Sequence, residues 1–380
     1  MDYGHANLSF AASLLDGAAD AGLGHVVICP GSRSTPLALA AALHPALRTW
    51  VLIDERSAAF FALGVARHLG KAVGLICTSG TAAANFAPAV IEAYLSRIPL
   101  LVLTADRPAE LRDWGAAQTI DQVGLYGSHV RWFADLPAPV GDASEERFAR
   151  AASVRALQTA DSLRAGPVHL NVQFREPLIP ADADPTALLR DRFARPSSAD
   201  APPRSSRSPS DAEAARLADL VSRHPRGVIV GGPHAGGDLG NAVAALSAAS
   251  GYPVLADPLS TVRFSWPGGA GLVDAYDLFL RDAHVAAPLE PDLVIRVGGM
   301  PTSKPLAQWL AHQDATVVAI DPGELRDAGH AVAWHVQADD AAALLAVTTA
   351  LAGRRHVSTE WLRLWERVNA QTRAAVTRQL

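Results

Sequence analysis

The feature that most constrains the fold is a repeated alternation of short apolar runs with helix-forming segments. Five runs in the first half are predicted as buried strands: His25–Cys29, Val51–Asp54, Val73–Thr78, Leu100–Ala105 and Val168–Phe174. Helical patterns lie between them, up to about residue 43 and over about 57–69, 81–95 and 144–164. Continuous apolar strands separated by helices are typical of a parallel sheet covered on both faces. We therefore predict an α/β domain over residues 1–180.

A second alternating region follows a linker. The linker is predicted over 181–210, because Pro196–Asp211 is rich in Ser, Pro and Arg and has no apolar period. Four further runs predict a smaller α/β domain over 211–352: Gly227–Val230, Pro253–Ala256, Leu293–Val297 and Thr316–Ile320. Residues 353–380 are predicted as a polar helix, in which Trp361, Leu364, Trp365 and Val368 recur at helical spacing.

Composition excludes several classes of protein. A length of 380 residues suits two domains, and a net charge of −5 argues against a dedicated nucleic-acid binder. No run of 18 apolar residues predicts a membrane span, and no secretory signal is visible at the N-terminus. Cys29 and Cys77 lie inside apolar runs, so we expect them to be reduced and buried in a cytoplasmic protein.

Polar loops follow several predicted strands, where ligands of parallel sheets bind. In Pro30–Pro36, Gly31 permits a sharp turn, the next helix offers free N–H groups, and Arg33 can hold a carboxylate. In Asp54–Arg56, Glu55 is a carboxylate leaving an apolar strand, which raises its proton affinity and suits proton exchange with a nitrogen base. The alternative for Pro30–Pro36 is a plain capped turn, and the alternative for Glu55 is an ion pair with an arginine.

Three further loops carry candidate residues. Thr78–Asn85 consists of small residues that would let a ligand approach the backbone, or else pack a helix tightly on a strand. Thr104–Gln118 is a polar loop suited to a substrate lid, with a solvated surface loop as the alternative. Gly298–Trp309 in the second domain follows a predicted strand and carries Lys304 as a candidate site residue. The alternative is a solvated lysine at a helix start. No GxGxxG, P-loop, zinc or GxSxG motif is present.

Taken in order, the strings GSRSTP, DER, TSGTAxAN and TADRPxEL resemble one family of thiamin-diphosphate enzymes, over about residues 7–353. That family comprises the 2-succinyl-5-enolpyruvyl-6-hydroxy-3-cyclohexene-1-carboxylate synthases, transferases of menaquinone (vitamin K2) biosynthesis. The resemblance implies a pyrimidine-binding domain followed by a central Rossmann-like domain. It implies a decarboxylating carboligase that adds the succinyl-semialdehyde unit of 2-oxoglutarate to isochorismate, in a homodimer or homotetramer.

The resemblance also implies roles for individual residues. Glu55 would be the catalytic glutamate that hydrogen-bonds the aminopyrimidine of thiamin diphosphate and promotes its activation. The cofactor would also contact Thr78, Ser79 and Gly80. The substrates would be bound by a polar set, which comprises Ser32, Arg33, Arg107, Gln118 and Lys304.

One expected motif is missing. The family holds the diphosphate through Mg²⁺ or Mn²⁺ with a GDG motif, and no GDG occurs in this sequence. We therefore expect no metal ligands in this chain, a truncated form that lacks the diphosphate-binding domain, and little activity from the chain alone. An enzyme of the acetolactate-synthase type and a non-catalytic ligand-binding fragment are the alternatives.

Overall fold

The computed structural model describes residues 3–194, 206–234, 239–354 and 359–379. It divides into two compact units, Met1–Ser205 and Ser206–Leu380. Each unit contains a six-stranded sheet whose neighbouring strands are all parallel. The predicted fold class, two parallel-sheet α/β domains, is confirmed.

The first sheet has the strand order β2-β1-β3-β4-β6-β5. Its strands are β1 His25–Ile28, β2 Arg48–Val51, β3 Val73–Cys77, β4 Leu100–Asp106, β5 Trp132–Leu136 and β6 Pro167–Gln173. The chain leaves β1 towards β2 on one side, and β3 then pairs on the other side of β1. Such a reversal opens a crevice beyond the carboxyl ends of β1 and β3, where ligands of open parallel sheets bind.

Helices cover both faces of this sheet. They are α1 Tyr3–Asp20, α2 Thr35–Leu43, α3 Glu55–Leu69, α4 Thr81–Asn85, α5 Ala87–Ser96, α6 Ala143–Ala160 and α7 Pro185–Phe193. One apolar cluster joins α1, α2, α6 and α7 to the sheet, and a second joins α3, α4 and α5 to the other face. Because the strands between them are buried on both sides, they read in the sequence as continuous apolar runs.

The structure corrects several predicted boundaries in this unit. The second strand is Arg48–Val51 and not Val51–Asp54, because β2 is an edge strand that tolerates polar residues, whereas Ile53 lies in a loop with 86% of its surface exposed. Helix α7 lies inside the predicted linker, since Leu189 is buried in the core of the first unit. Residues 195–205 of that linker lie outside the described residues. Helix α1 and strand β5 were not predicted.

The second sheet has the order β12-β11-β10-β7-β8-β9. Its strands are β7 Gly227–Gly231, β8 Val254–Ala256, β9 Leu272–Val273, β10 Leu293–Val297, β11 Thr316–Ile320 and β12 Val332–Val336. The four predicted strands are present with boundaries within one residue. The prediction missed β9 and β12 because edge strands need not be continuously apolar: β9 has two residues and β12 is mostly half-buried.

The helices of the second unit are α8 Asp211–Arg223, α9 Leu239–Ser250, α10 Thr261–Phe264, α11 Tyr276–Phe279, α12 Ala283–Ala286, α13 Lys304–Ala311, α14 Asp340–Leu351 and α15 Thr359–Gln379. The last of these packs on the second sheet. Trp365 is completely buried against Trp309 and Phe279, and the indole N–H of Trp361 donates to the carbonyl of Gly227 at 2.8 Å. In the parts of the chain that the structure describes, no helix combines the length and apolar character needed to cross a membrane.

Candidate active site

The candidate residues of the first unit follow four neighbouring strands at one edge of the sheet. Ser32 and Arg33 follow β1, Glu55 follows β2, Thr78–Gly80 follow β3, and Arg107 follows β4. Since all these strands are parallel, their carboxyl ends meet at the same edge. The structure therefore gathers these predicted residues around the crevice between β1 and β3.

The loops after β1 and β3 are in direct contact. A Cβ added to Gly31 would lie 2.4 Å from the Cβ of Thr78, so only glycine permits this approach. The backbone N–H of Arg33 donates to the hydroxyl of Thr78 at 3.2 Å. The hydroxyl of Thr78, a predicted cofactor contact, thus already binds the β1 loop.

Arg33 lies in a buried position with both terminal nitrogens engaged. Nη1 donates to the carbonyl of Phe174 at 2.9 Å, and Nη2 donates to the carboxylate of Glu176 at 2.7 Å. Arg33 was predicted to hold a carboxylate, and the carboxylate beside it in the structure, that of Glu176, belongs to the chain itself. Ser32, its neighbour, is exposed.

Arg107 and Gln118 close the other side of the β3 loop. Nη1 of Arg107 donates to the hydroxyl of Ser79 and to the carbonyl of Gln118, both at 2.5 Å. The side-chain amide of Gln118 donates to the carbonyl of Ser79 at 3.0 Å. Burial lowers the pKa of Arg107, and the nearby guanidinium of Arg33 lowers it further. Two cations that repel each other in this way favour an anion beside them.

Gln122 holds the turn at Gly80 from behind. The N–H of Gly80 donates to Oε1 of Gln122 at 2.8 Å, and this side chain is fully buried. Nε2 of Gln122 donates to the carbonyl of Ala105 at 3.2 Å and to Oδ1 of Asn171 at 2.9 Å. Gly80 has φ +87°, a left-handed value that suits glycine. Because its N–H is already bonded, this amide is not available to a ligand.

The side-chain amides of Gln122 and Asn171 are oriented by an ion-paired cluster, which comprises Asp106, Arg112 and Asp135. Nδ2 of Asn171 donates to Asp106 at 2.9 Å and to Asp135 at 2.8 Å, while Arg112 pairs with both carboxylates. Since carboxylates accept hydrogen bonds, Asn171 must turn its NH₂ towards them and its oxygen towards Gln122. Gln122 then presents its own oxygen to Gly80. Neither Gln122 nor Asn171 was predicted from the sequence. The polar positions inside the apolar run VHLNVQF were the available signal for Asn171.

Glu55 is the first residue of α3 and is half-buried. Asp54 caps the helix by accepting from the N–H of Ser57 at 2.8 Å, so the carboxylate of Glu55 is not needed as the cap. Among the described residues, no donor lies within hydrogen-bonding distance of that carboxylate, and the alternative ion pair is not formed. A half-buried carboxylate without a partner fits a hydrogen bond to the nitrogen base of a cofactor.

The two cysteines lie behind this carboxylate. Cys29 and Cys77 are free and buried, which confirms the prediction that they do not form a disulfide. Burial raises the pKa of the Cys29 thiol to about 12, and the charge of Glu55 contributes to that rise. The thiols are therefore protonated and inert, and the sheet beneath Glu55 is apolar.

Lys304 is exposed at the start of α13 in the second unit. It lines a cavity of about 620 Å³ together with Arg281, Glu290, Trp309 and His312. Its predicted action together with the residues of the first unit stays a prediction. No group of three or more metal-ligating side chains occurs within the ranges that the structure describes.

Two family models match the chain. The first, described as the N-terminal TPP binding domain of thiamine pyrophosphate enzymes, matches residues 8–125. The second, described as the middle domain of thiamine pyrophosphate enzymes, matches residues 205–380. The chain therefore contains the N-terminal and middle domains of thiamine pyrophosphate enzymes. The first match contains Glu55 and the three loops around the crevice, and the second contains Lys304.

Similar proteins narrow the comparison within the thiamine pyrophosphate enzymes. The chain is 46% identical over 374 residues to the 2-succinyl-5-enolpyruvyl-6-hydroxy-3-cyclohexene-1-carboxylate synthase of Chloroflexus aurantiacus. It is 45% identical over 372 residues to the protein of the same name from Geobacillus kaustophilus, and 44% identical over 384 residues to that from Halorubrum lacusprofundi. These matches cover 98%, 98% and 95% of this chain but only 63%, 64% and 61% of the relatives.

Proposed function

We propose that the chain forms the pyrimidine-binding and central parts of a 2-succinyl-5-enolpyruvyl-6-hydroxy-3-cyclohexene-1-carboxylate synthase. The reaction would decarboxylate 2-oxoglutarate and add the remaining four-carbon unit to isochorismate in menaquinone biosynthesis. One observation carries the proposal: the carboxylate of Glu55, which has no partner among the residues that the structure describes, lies at the same sheet edge as the two guanidinium groups of Arg33 and Arg107. The names of the similar proteins support the same reaction.

Glu55 is the proposed catalytic residue. Its carboxylate would hydrogen-bond a ring nitrogen of the bound cofactor and hold or release the proton there. Thiamin diphosphate, when bound, supplies the carbanion chemistry that side chains lack. The apolar, thiol-lined surface beneath Glu55 keeps water away from one side of this proton.

Arg33 and Arg107 are the proposed anion-binding residues. Both substrates carry two carboxylates, which guanidinium groups bind through charge-assisted hydrogen bonds. Ser32 and Gln118 lie on the same loops and would donate further hydrogen bonds. Lys304 is proposed to contribute a third cation, and Thr78, Ser79 and Gly80 to shape the wall against which the cofactor lies.

The diphosphate and its Mg²⁺ or Mn²⁺ ion need other ligands. The described residues contain no group of side chains that fits such a metal site. We propose that residues outside these 380 bind the metal and the diphosphate, since the chain spans about 63% of the length of its relatives. We also propose a cytoplasmic homodimer or homotetramer, supported by the exposed apolar side chains Phe60, Ile91 and Leu95 on α3 and α5.

Replacing Glu55 by glutamine in the full-length protein tests the proposal. We expect turnover of 2-oxoglutarate with isochorismate to fall at least about a hundredfold, because an amide cannot exchange the proton. Glu92→Gln is the matched control: within the described part of the chain this exposed glutamate of α5 bonds only Ser96, so its loss should leave turnover unchanged. Activity retained in Glu55→Gln would contradict the assigned role.

A substrate panel separates the second candidate, an enzyme of the acetolactate-synthase type. Two neighbouring guanidinium groups favour dicarboxylates over pyruvate, which has one carboxylate. Faster turnover of pyruvate than of 2-oxoglutarate by the full-length protein would favour that candidate. Binding of a metabolite without any turnover would favour a non-catalytic fragment.

A further inference from the structure

We propose that Glu176 is an internal anion that competes with the substrate for Arg33. The inference rests on the proposed role of Arg33 and Arg107 as the anion-binding residues. Glu176 was not among the residues predicted from the sequence, and it lies on the segment just past β6.

The ion pair joins a buried cation to an exposed carboxylate. The side chain of Arg33 is 7% exposed and that of Glu176 is 72% exposed, with 2.7 Å between Nη2 and Oε1. Nη1 is held by the carbonyl of Phe174. The two nitrogens that would form a fork with a substrate carboxylate are therefore both engaged. One partner is a backbone carbonyl, and the other is the solvent-exposed side chain of Glu176.

The charge of Glu176 also reaches the second arginine. Arg107 experiences the positive charge of Arg33 and the opposing negative charge of Glu176. Arg33, Arg107 and Glu176 together carry a formal charge of +1, whereas the two arginines alone would carry +2. A substrate carboxylate entering this cluster must displace Glu176 from Arg33 or lie beside it against like-charge repulsion.

The backbone that carries Glu176 is anchored. The N–H of Phe174 donates to the carbonyl of Asp106 at 3.0 Å, which extends the pairing of β4 with β6. The next residue, Arg175, is held by Glu110 through hydrogen bonds of 2.6 and 3.1 Å. Glu176 is thus presented at the crevice by a fixed segment, while its own side chain remains free to move away from Arg33.

Titration with inorganic sulfate, a divalent anion, tests the competition without requiring turnover. We expect Glu176→Gln and Glu176→Ala to bind sulfate about three- to tenfold more tightly than the unchanged chain, because one negative charge is removed beside Arg33. Calorimetry at low ionic strength would measure the dissociation constants.

Glu110→Gln is the matched control. It also removes one carboxylate charge nearby, from the pair with Arg175, while the amide oxygen can still accept from Arg175 and keep the segment anchored. Its effect on sulfate affinity should therefore stay within about twofold. The double variant Arg33→Gln/Glu176→Gln should lose the gain, which locates the sulfate at Arg33. If that variant does not fold, Arg107→Gln in the Glu176→Gln background serves the same purpose, and part of the gain should disappear.

Equal sulfate affinity in the Glu176→Gln, Glu110→Gln and unchanged chains would overturn the competition. Weaker binding in Glu176→Ala would also overturn it and would assign Glu176 a role in positioning Arg33. These outcomes are separate from the proposed reaction. A full-length protein without turnover, combined with tighter sulfate binding in Glu176→Gln, would reject the reaction and leave the role of Glu176 in place.

Discussion

Gln122 shows how a single buried side chain fixes part of the candidate site. Its amide oxygen accepts from the N–H of Gly80, and its orientation is set by Asn171 on β6. Ser79 and Gly80 are thereby held where Arg107 and Gln118 meet the β3 loop. The conformation of the predicted cofactor loop therefore depends on a residue 42 positions away.

Replacing Gln122 by alanine should destabilise the chain. The N–H of Gly80 would stay buried without its acceptor, which costs about 1–3 kcal/mol. Urea unfolding would measure the loss. Gln308→Ala removes the same type of side chain from an exposed position of α13 and should change stability by less than about 0.5 kcal/mol. Equal unfolding curves for the two variants would contradict a stabilising role for the hydrogen bond between Gly80 and Gln122.

At the scale of elements, β6 differs from the other buried strands of its sheet. All of its residues are buried, yet His169, Asn171 and Gln173 alternate with apolar ones. These polar side chains bond to β4, to Asp135 on β5 and to loops; His169, for example, lies 2.7 Å from the hydroxyl of Thr104. The strand was predicted correctly because its apolar positions alone were enough to indicate a buried strand. The partners of its polar positions come from residues distant in sequence and could not be predicted.

The burial of β6 predicts a dependence of stability on pH. Burial lowers the pKa of His169 from 6.5 to about 3. Between these values the unfolded chain takes up a proton that the folded chain does not, so the free energy of unfolding falls as the pH falls below about 6.5. His169→Gln, whose amide can still donate to Thr104, should remove this contribution.

Urea unfolding at pH 6.5 and pH 5 would measure the contribution of His169. The unchanged chain should lose about 2 kcal/mol more than His169→Gln over this interval, at about 1.4 kcal/mol per pH unit. Parallel stability curves for the two proteins would show that His169 titrates alike in the folded and unfolded chains, against this expectation.

At the scale of the whole molecule, each unit has apolar clusters of its own. Two clusters lie within the first unit and two within the second. In the second unit, α15 completes the core, since Trp365 packs edge-on against Trp309, Trp361 and Phe279. The C-terminal helix therefore contributes to the stability of the sheet on which it packs.

Trp365→Ala should weaken the second unit and leave the first unchanged. Removing a fully buried tryptophan costs about 3–5 kcal/mol. Hydrogen exchange should accelerate in β7 and β10 but not in β3 and β4. Trp114→Ala is the control, because Trp114 is 83% exposed, and its exchange pattern should match that of the unchanged chain. Accelerated exchange in both sheets would contradict the expectation that the cores of the two units are stabilised independently.

The two parallel α/β units and most of their inner strands could be predicted from the sequence. This was possible because burial on both faces requires continuous apolar runs, a property of neighbouring residues. The sequence also identified the loops that meet at the carboxyl edge. Which side chains pair at that edge could not be predicted, because it depends on how the strands are arranged in the folded chain. Arg33 with Glu176 and Gly80 with Gln122 are separated by 143 and 42 residues, and their contacts follow from the strand order, which no local pattern encodes.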